Sequence, residues 1–153
     1  MGDFQASIVL PQPREIAFNY LRDPRNFLKL FPASATKNLD VRLPDVLDSG
    51  VCLEFNFKAM GNHFQIVQKI TDLLDGERIV ATQLKGPFRL WIHEQRFADA
   101  AGGETLLTNS IKFEPPGGFL GMLVTRKQIL SHLHEWVGQG HELLRQQMAQ
   151  HTP

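Results

Sequence analysis

The side chains best suited to chemistry lie in two neighbouring segments of the chain. The first segment, Gly86 to Phe97, contains His93 and Gln95, and the second, Thr105 to Glu114, contains Asn109. Histidine is the side chain whose unperturbed pKa lies nearest neutrality, so His93 could act as a general acid or base. The amides could orient the imidazole or bind the polar end of a ligand. These residues therefore favour either proton transfer or polar recognition, depending on whether they face a filled core or a cavity.

The two segments are predicted to form a hairpin, because residues Ala101 to Gly103 between them suit a turn. If Phe97 pairs with Thr105, the opposing pairs are Gln95 with Leu107, His93 with Asn109, Trp91 with Ile111 and Arg89 with Phe113. Directly paired residues share one face of a sheet, and Lys112 and Glu114 suit the face toward water. The inner face is then predicted to carry Trp91, His93, Gln95, Phe97, Leu107, Asn109, Ile111 and Phe113.

The rest of the chain predicts an α+β fold. Alternating apolar residues predict strands at Asp3–Leu10, Thr36–Leu43, Val51–Phe57, His63–Leu74 and Arg78–Leu84, while prolines at 13 and 24 mark two short helices. Apolar residues at helical spacing predict one long helix from Phe119 nearly to the C-terminus, which Gly138 and Gly140 interrupt. Only this helix is long enough to cover one face of a curved antiparallel sheet of six or seven strands. Residues 1–150 are expected to form one domain.

Composition excludes several classes of function. The 153-residue chain has 16 basic and 16 acidic residues, so no positive excess drives nucleic-acid binding. No apolar run approaches the ~18 residues of a membrane span, and no signal peptide is evident, so a cytoplasmic location without stable membrane insertion is expected. The one cysteine, Cys52, cannot form an internal disulfide, and its apolar neighbours predict buried packing.

The remaining histidines do not predict a metal site. His132, His134 and His141 fall on the long helix and His151 follows it, but their spacings do not bring four ligands together and no carboxylate cluster accompanies them. A surface or packing role is expected for these residues. No motif points to a cofactor or to a particular oligomeric state.

The motifs and the order of elements resemble the helix-grip superfamily, which includes START-like (SRPBCC) lipid-transfer domains, birch-allergen proteins and polyketide cyclase/dehydrase-like proteins. A small bacterial ligand-binding subgroup carries Gly-Pro-aromatic-x-x-Trp-x-His-x-His-x-Phe, matched here by Gly86, Pro87, Phe88, Trp91, His93 and Phe97. Its motif Thr-x-Met-x-Asp-x-Val-x-Tyr followed by proline is matched by Thr105, Leu107, Asn109, Ile111 and Phe113, with Pro115 nearby. Segments Ile8–Glu15 and Asp23–Phe27 are similar to the subgroup as well.

Three positions depart from the subgroup pattern. Gln95 stands at the second histidine position, Asn109 at the acidic position and Phe113 at the tyrosine position. An aspartate opposite His93 would raise the imidazole pKa, whereas an asparagine can orient the ring but supplies no charge. These departures shift the expectation from catalysis toward binding.

The resemblance implies a cavity between the sheet and the C-terminal helix that binds or transports a hydrophobic small molecule, such as a lipid, an isoprenoid or quinone, or an aromatic polyketide. The expected ligand-binding residues are Phe55, Phe57, Trp91, His93, Gln95, Phe97, Leu107, Asn109, Ile111, Phe113, Leu133 and Val137. The alternative is a cyclase/dehydrase-like enzyme with His93 as general acid/base. A protein-interaction role would require a large exposed apolar patch.

Overall fold

A computed structural model describes residues 2–31, 39–59 and 61–150 of the chain. The strands are β1 (Gly2–Leu10), β2 (Asp40–Arg42), β3 (Cys52–Ala59), β4 (Asn62–Leu74), β5 (Arg78–Lys85), β6 (Leu90–Ala100) and β7 (Glu104–Glu114). The α-helices are α1 (Arg14–Arg22), α2 (Pro24–Leu28), α3 (Gly118–Leu123) and α4 (Arg126–Gln150).

The seven described strands form one antiparallel sheet in the order β1-β7-β6-β5-β4-β3-β2. The first and last long strands are thus neighbours, while the intervening strands follow one another as hairpins. The long helix α4 packs on the inner face of the sheet and contacts β1 along its length. The predicted α+β fold is confirmed.

The two short helices begin where their prolines predict. Pro13 immediately precedes α1. Glu15 places a carboxylate in the first turn of this helix, where the negative charge interacts favourably with the helix dipole. The Asp23 side chain accepts a hydrogen bond from the Arg25 backbone N–H at 3.0 Å and caps α2, in which Pro24 is the first residue. This cap fixes the direction of the segment that carries Phe27 toward the inner face.

The C-terminal helical region differs from the single helix predicted from Phe119. It divides into α3 and α4 because Thr125 starts a new helix. The Thr125 hydroxyl accepts a hydrogen bond from the Gln128 backbone N–H at 3.2 Å. In return, Gln128 Oε1 accepts a hydrogen bond from the Thr125 backbone N–H at 2.9 Å. This reciprocal pair is a capping box. Helix α4 is continuous across Gly138 and Gly140.

Two hydrophobic clusters hold α4 on the sheet. The buried members of the first, near the C-terminal half of α4, are Leu10, Ala17, Phe18, Leu21, Leu47, Leu53, Ile70, Ile79, Phe97, Leu107, Leu144 and Met148. Those of the second, near its N-terminal half, are Phe4, Trp91, Ile111, Phe113, Ile129 and Leu133. The end of the helix is also held by a hydrogen bond from Gln12 Nε2 to the Met148 carbonyl at 3.0 Å. Between the two clusters lies a layer of polar side chains.

The predicted register of the β6–β7 hairpin is wrong by two residues, although the predicted faces are correct. Observed partners are Phe97 with Leu107, Gln95 with Asn109, His93 with Ile111 and Trp91 with Phe113, whereas Arg89 precedes β6. The strands run to Ala100 and Glu104, leaving only a three-residue turn in which Gly102 and Gly103 have φ of 74° and 75°. Because side chains alternate with a period of two, a two-residue shift keeps each one on its predicted face.

Two local predictions need correction. Cys52 is exposed rather than buried, because strand alternation turns its neighbour Leu53 into the core and Cys52 to the outer face. The strand predicted from Thr36 to Leu43 is a strand only at Asp40–Arg42 within the described residues, and residues 36–38 lie outside them. Within the described ranges, no helix is long and apolar enough to cross a bilayer.

Candidate functional site

A chain of two hydrogen bonds connects β6, β7 and α4 at the centre of the inner face. His93 Nε2 lies 2.7 Å from Asn109 Oδ1, and Asn109 Nδ2 lies 2.7 Å from His141 Nε2. An amide nitrogen only donates and an amide oxygen only accepts. His93 therefore donates through Nε2, while His141 accepts through Nε2 and carries its proton on Nδ1.

Strand alternation and helix periodicity bring the three side chains together. His93 and Asn109 are diagonal neighbours, since Gln95 stands directly opposite Asn109, and diagonal neighbours lie within reach of long side chains. His141 lies four residues after Val137 and three before Leu144, on the face of α4 that meets the sheet. The arrangement thus depends on the docking of α4 as well as on the hairpin.

The surroundings of both imidazoles disfavour a positive charge. Burial lowers the pKa of His93, and its hydrogen bond with Asn109 offsets part of that effect. Burial also lowers the pKa of His141, and a charge on His93 would lower it further. Both rings are therefore neutral at pH 7, which matches the hydrogen-bond directions in the chain. A neutral imidazole can accept a proton as a base or bind an uncharged polar group.

A cavity of about 50 Å³ lies against this chain of hydrogen bonds. Its lining side chains come from α2 and the residues after it, from β6 and β7, and from α4. They are Phe27, Leu30, Phe31, His93, Gln95, Leu107, Asn109, Ile111, Trp136, Val137, Gly140, His141 and Leu144. Such a volume can hold a few water molecules, and it is smaller than the ~300–1,000 Å³ of typical small-molecule pockets.

A second cavity of about 30 Å³ lies on the other side of Phe27. Phe27, His93 and Gln95 line both cavities, so these three side chains form the partition between them. The Phe27 ring centroid lies 6.5 Å from that of His93 and 5.3 Å from that of Phe31. Movement of one aromatic side chain would join the two spaces.

Six of the predicted site residues line the first cavity, namely His93, Gln95, Leu107, Asn109, Ile111 and Val137. The other six lie elsewhere. Phe97 and Phe113 are buried inside the two hydrophobic clusters, and Phe55 packs at the edge of the first. Phe57 stacks on Phe64 with ring centroids 5.5 Å apart. Trp91 and Leu133 border an open groove of about 640 Å³ between α4 and the segment before β6.

Sequence reasoning did not identify seven lining residues: Phe27, Leu30, Phe31, Trp136, Gly140, His141 and Leu144. The sequence pattern could have predicted His141, because this residue shares the helical spacing of Val137 and Leu144 and should therefore face the sheet with them. Gly140 brings α4 close to Leu30, whose carbonyl oxygen would lie at ordinary van der Waals distance, 3.7 Å, from an added Cβ. Trp136 contacts Phe31 with ring centroids 4.9 Å apart.

No group of three or more histidine, cysteine, aspartate or glutamate side chains within residues 2–31, 39–59 and 61–150 could hold a metal ion. In the same ranges, every buried side-chain nitrogen and oxygen atom has a hydrogen-bond partner. The buried polar atoms between the two hydrophobic clusters therefore already have hydrogen-bond partners within the protein.

Solved structures similar to this one have the helix-grip fold. A protein of Thermus thermophilus, TTHA0849, superimposes with a TM-score of 0.73 at 16% identity, covering 97% of this chain and 98% of its own. The Zhui aromatase/cyclase of Streptomyces sp. R1128 gives 0.70 at 13%, covering 97% and 94%. Ginseng major latex-like protein 151 of Panax ginseng gives 0.61 at 16%, covering 99% and 98%. The chain therefore has the helix-grip fold.

No protein-family model matches the chain, and no curated protein sequence matches it. At such low identities the structural similarity establishes the fold, and the function must be argued from the side chains of the site.

Acidification is expected to destabilise the protein. The folded-state pKa of both His93 and His141 lies below the unfolded value of about 6.5, so the unfolded chain binds more protons as pH falls through that value. The free energy of unfolding should decrease from pH 7.5 to 5, by at most about 1.4 kcal/mol per pH unit for each histidine. Urea unfolding at stepped pH measures this slope.

Two variants identify the groups responsible. Asn109→Asp places a carboxylate between the imidazoles, raises the pKa of both and should reduce the loss of stability on acidification. His132→Asn, which removes an exposed histidine of α4, is the control for loss of an imidazole outside the polar chain. Equal slopes in the wild type and Asn109→Asp would contradict the assignment.

Removal of the Phe27 ring should join the two cavities. Phe27→Ala should lower the free energy of unfolding by about 1–3 kcal/mol, less than for a fully buried phenylalanine, because Phe27 is only half-buried. Phe31→Ala is the matched control, since Phe31 borders only the first cavity. A crystal structure of Phe27→Ala with two separate or collapsed cavities would disprove the partition.

Proposed function

We propose that this protein binds a hydrophobic small molecule in the space between the sheet, α2 and α4. The observation that carries the proposal is an apolar cavity with one hydrogen-bonded polar chain, His93–Asn109–His141, in its wall. Small-molecule sites are usually apolar with a few convergent polar groups. A lipid, an isoprenoid or quinone, or an aromatic polyketide has the matching chemistry.

The electrostatics favour a ligand with an uncharged polar end. Both imidazoles are held neutral by burial, so neither offers a full positive charge to a carboxylate or phosphate at pH 7. A hydroxyl or carbonyl group can replace one hydrogen bond of the chain without leaving a buried charge unpaired. A quinone or phenol oxygen would suit this wall.

The small volume implies that the cavity enlarges on binding. Three half-buried aromatic side chains, Phe27, Phe31 and Trp136, occupy the space around it. The Phe31 ring contacts both of the others. Rotation of Phe27 would add the second cavity to the first. A ligand that binds only the folded state will raise the unfolding temperature as its concentration rises.

Gly140 and Gly138 provide a matched pair for testing this proposal. Gly140→Val adds a side chain beside the cavity and Leu30, whereas Gly138→Val adds the same side chain where no heavy atom lies within 4 Å of a Cβ. Both changes alter helix propensity equally. Gly140→Val should weaken binding by about tenfold or more, equivalent to about 1.4 kcal/mol, and Gly138→Val should not.

The measurement is thermal unfolding against a fatty alcohol, a short-chain ubiquinone analogue and an anthraquinone, together with native mass spectrometry of the purified protein. A shift from one of these probes that Gly140→Val abolishes supports the site. The absence of any shift and of any co-purified molecule, or equal shifts in both glycine variants, would contradict it.

Acid–base catalysis is a second candidate, favoured by the second histidine that α4 brings to the site. His93 and His141 are both hydrogen-bonded to the Asn109 amide, and neutral His93 could accept a proton from a substrate. The structurally similar Streptomyces protein is described as an aromatase/cyclase, which makes a poly-ketone a reasonable test substrate.

If the protein is an enzyme of this class, His93→Ala should lower turnover of an aromatic-polyketide precursor by about 10²-fold or more. His132→Ala, which changes an exposed histidine, is the control and should retain the wild-type rate. Product formation followed by chromatography measures both. Full turnover in His93→Ala would disprove catalysis by this residue.

A further inference from the structure

Helix α3 presents an exposed apolar surface that ligand binding in the cavity does not explain. Of its side chains, Phe119 is 74% exposed, Met122 is 83% exposed and Leu123 is 59% exposed. Of the other large exposed hydrophobic residues that the structure describes, Val9 and Leu106 form one cross-strand pair between β1 and β7, whereas Val46, Leu74 and Leu84 come from separate elements. Single exposed apolar residues are ordinary, whereas a cluster within six residues indicates an interaction surface.

The backbone around α3 holds this surface outward. A Cβ on Gly121 would lie 2.1 Å from the Pro116 carbonyl oxygen, so only glycine permits α3 to fold back against the segment that precedes it. Thr125 and Gln128 then start α4 in a new direction. The apolar side chains of α3 therefore project from a short helix whose backbone packs closely against the preceding segment.

Basic side chains lie close to both ends of α3. Arg126 and Lys127 are exposed in the first turn of α4, and the Arg89 guanidinium lies against Gly117, where an added Cβ would be 2.6 Å from its Nε. Residues 115–134 contain no aspartate or glutamate. The net charge of the whole chain is zero, so the positive charge is local to this region and does not reflect a general excess of basic residues.

We propose that α3 and the first turn of α4 dock on an anionic membrane surface. Exposed apolar residues next to lysine and arginine fit the boundary between acyl chains and headgroups, where the apolar groups insert and the bases meet anionic lipid. A protein partner would normally bury ~800 Å² on each side, which is large compared with a six-residue helix. Membrane docking goes beyond ligand binding, and it is tested without any ligand.

The experiment is co-sedimentation of the full chain with phosphatidylcholine vesicles that contain or lack phosphatidylserine. Binding should be stronger with phosphatidylserine and should weaken as salt is added. Phe119→Ser/Met122→Ser should reduce binding at least tenfold. Arg126→Gln/Lys127→Gln should reduce it by about fivefold per charge on anionic vesicles, because each base near the surface contributes about that factor.

Matched controls separate docking from general charge and hydrophobicity. Leu74→Ser removes an exposed apolar residue at the β4–β5 turn, and Lys58→Gln/Lys69→Gln removes two exposed positive charges on β3 and β4, which β5 and β6 separate from β7. Both should bind vesicles like the wild type. All variants are first checked for an unchanged unfolding temperature, which is expected because the substituted side chains are exposed.

Three results would overturn the proposal. The first is no binding of the wild type to anionic vesicles at low salt. The second is binding that Phe119→Ser/Met122→Ser leaves intact. The third is self-association of the wild type that the same variant abolishes while vesicle binding is absent, since that result would assign the surface to a second copy of the chain.

Discussion

The Asn109 amide is the interaction on which the inner face depends. It lies between the two hydrophobic clusters and bonds His93 on one side and His141 on the other, so one side chain ties two strands to the covering helix. Leaving one of these buried groups without a partner would cost about 1–3 kcal/mol. The bond from Asn109 to His141 is directional, so it restricts the rotation of α4 on the sheet more than apolar packing does.

The cavity is a consequence of this constraint and of the aromatic side chains above it. The hydrogen bond between Asn109 and His141 ties α4 to β7, and α4 also passes close to Leu30 at Gly140. Phe27 and Trp136 line the gap that remains, together with the polar layer. The gap lies where polar groups and apolar walls meet, which is the reason for proposing it as the ligand site.

Much of the fold could be predicted from local patterns, because those patterns have physical periods. Alternation placed His93 and Asn109 on the correct face even though the register differed by two residues, since the period of a strand is two. The same rule, applied to Cys52, would have placed it outside beside Glu54. The start of α4 was missed although Thr125 and Gln128 form a recognisable capping box.

The site itself was only half predictable, because its composition depends on how separate elements dock. Phe27, Trp136 and His141 reach the cavity from two helices whose relative placement no local pattern encodes. The volume depends on aromatic side-chain orientations, which are decided by packing in three dimensions. Sequence reasoning could therefore identify the wall formed by one hairpin, but it could not identify the groups that face that wall.

Asparagine at position 109 also sets what the site can do with protons. Its amide has one accepting and one donating end, so both bonds persist only when one imidazole offers a proton and the other offers a lone pair. Protonation of His93 at Nδ1 leaves both bonds intact, whereas protonation of His141 at Nε2 requires the amide to turn over and His93 to change tautomer. A carboxylate would accept from two imidazoliums at once. With an amide the chain accommodates a single added proton, and burial opposes even that one. The site is therefore better suited to holding an uncharged polar group than to storing charge for catalysis.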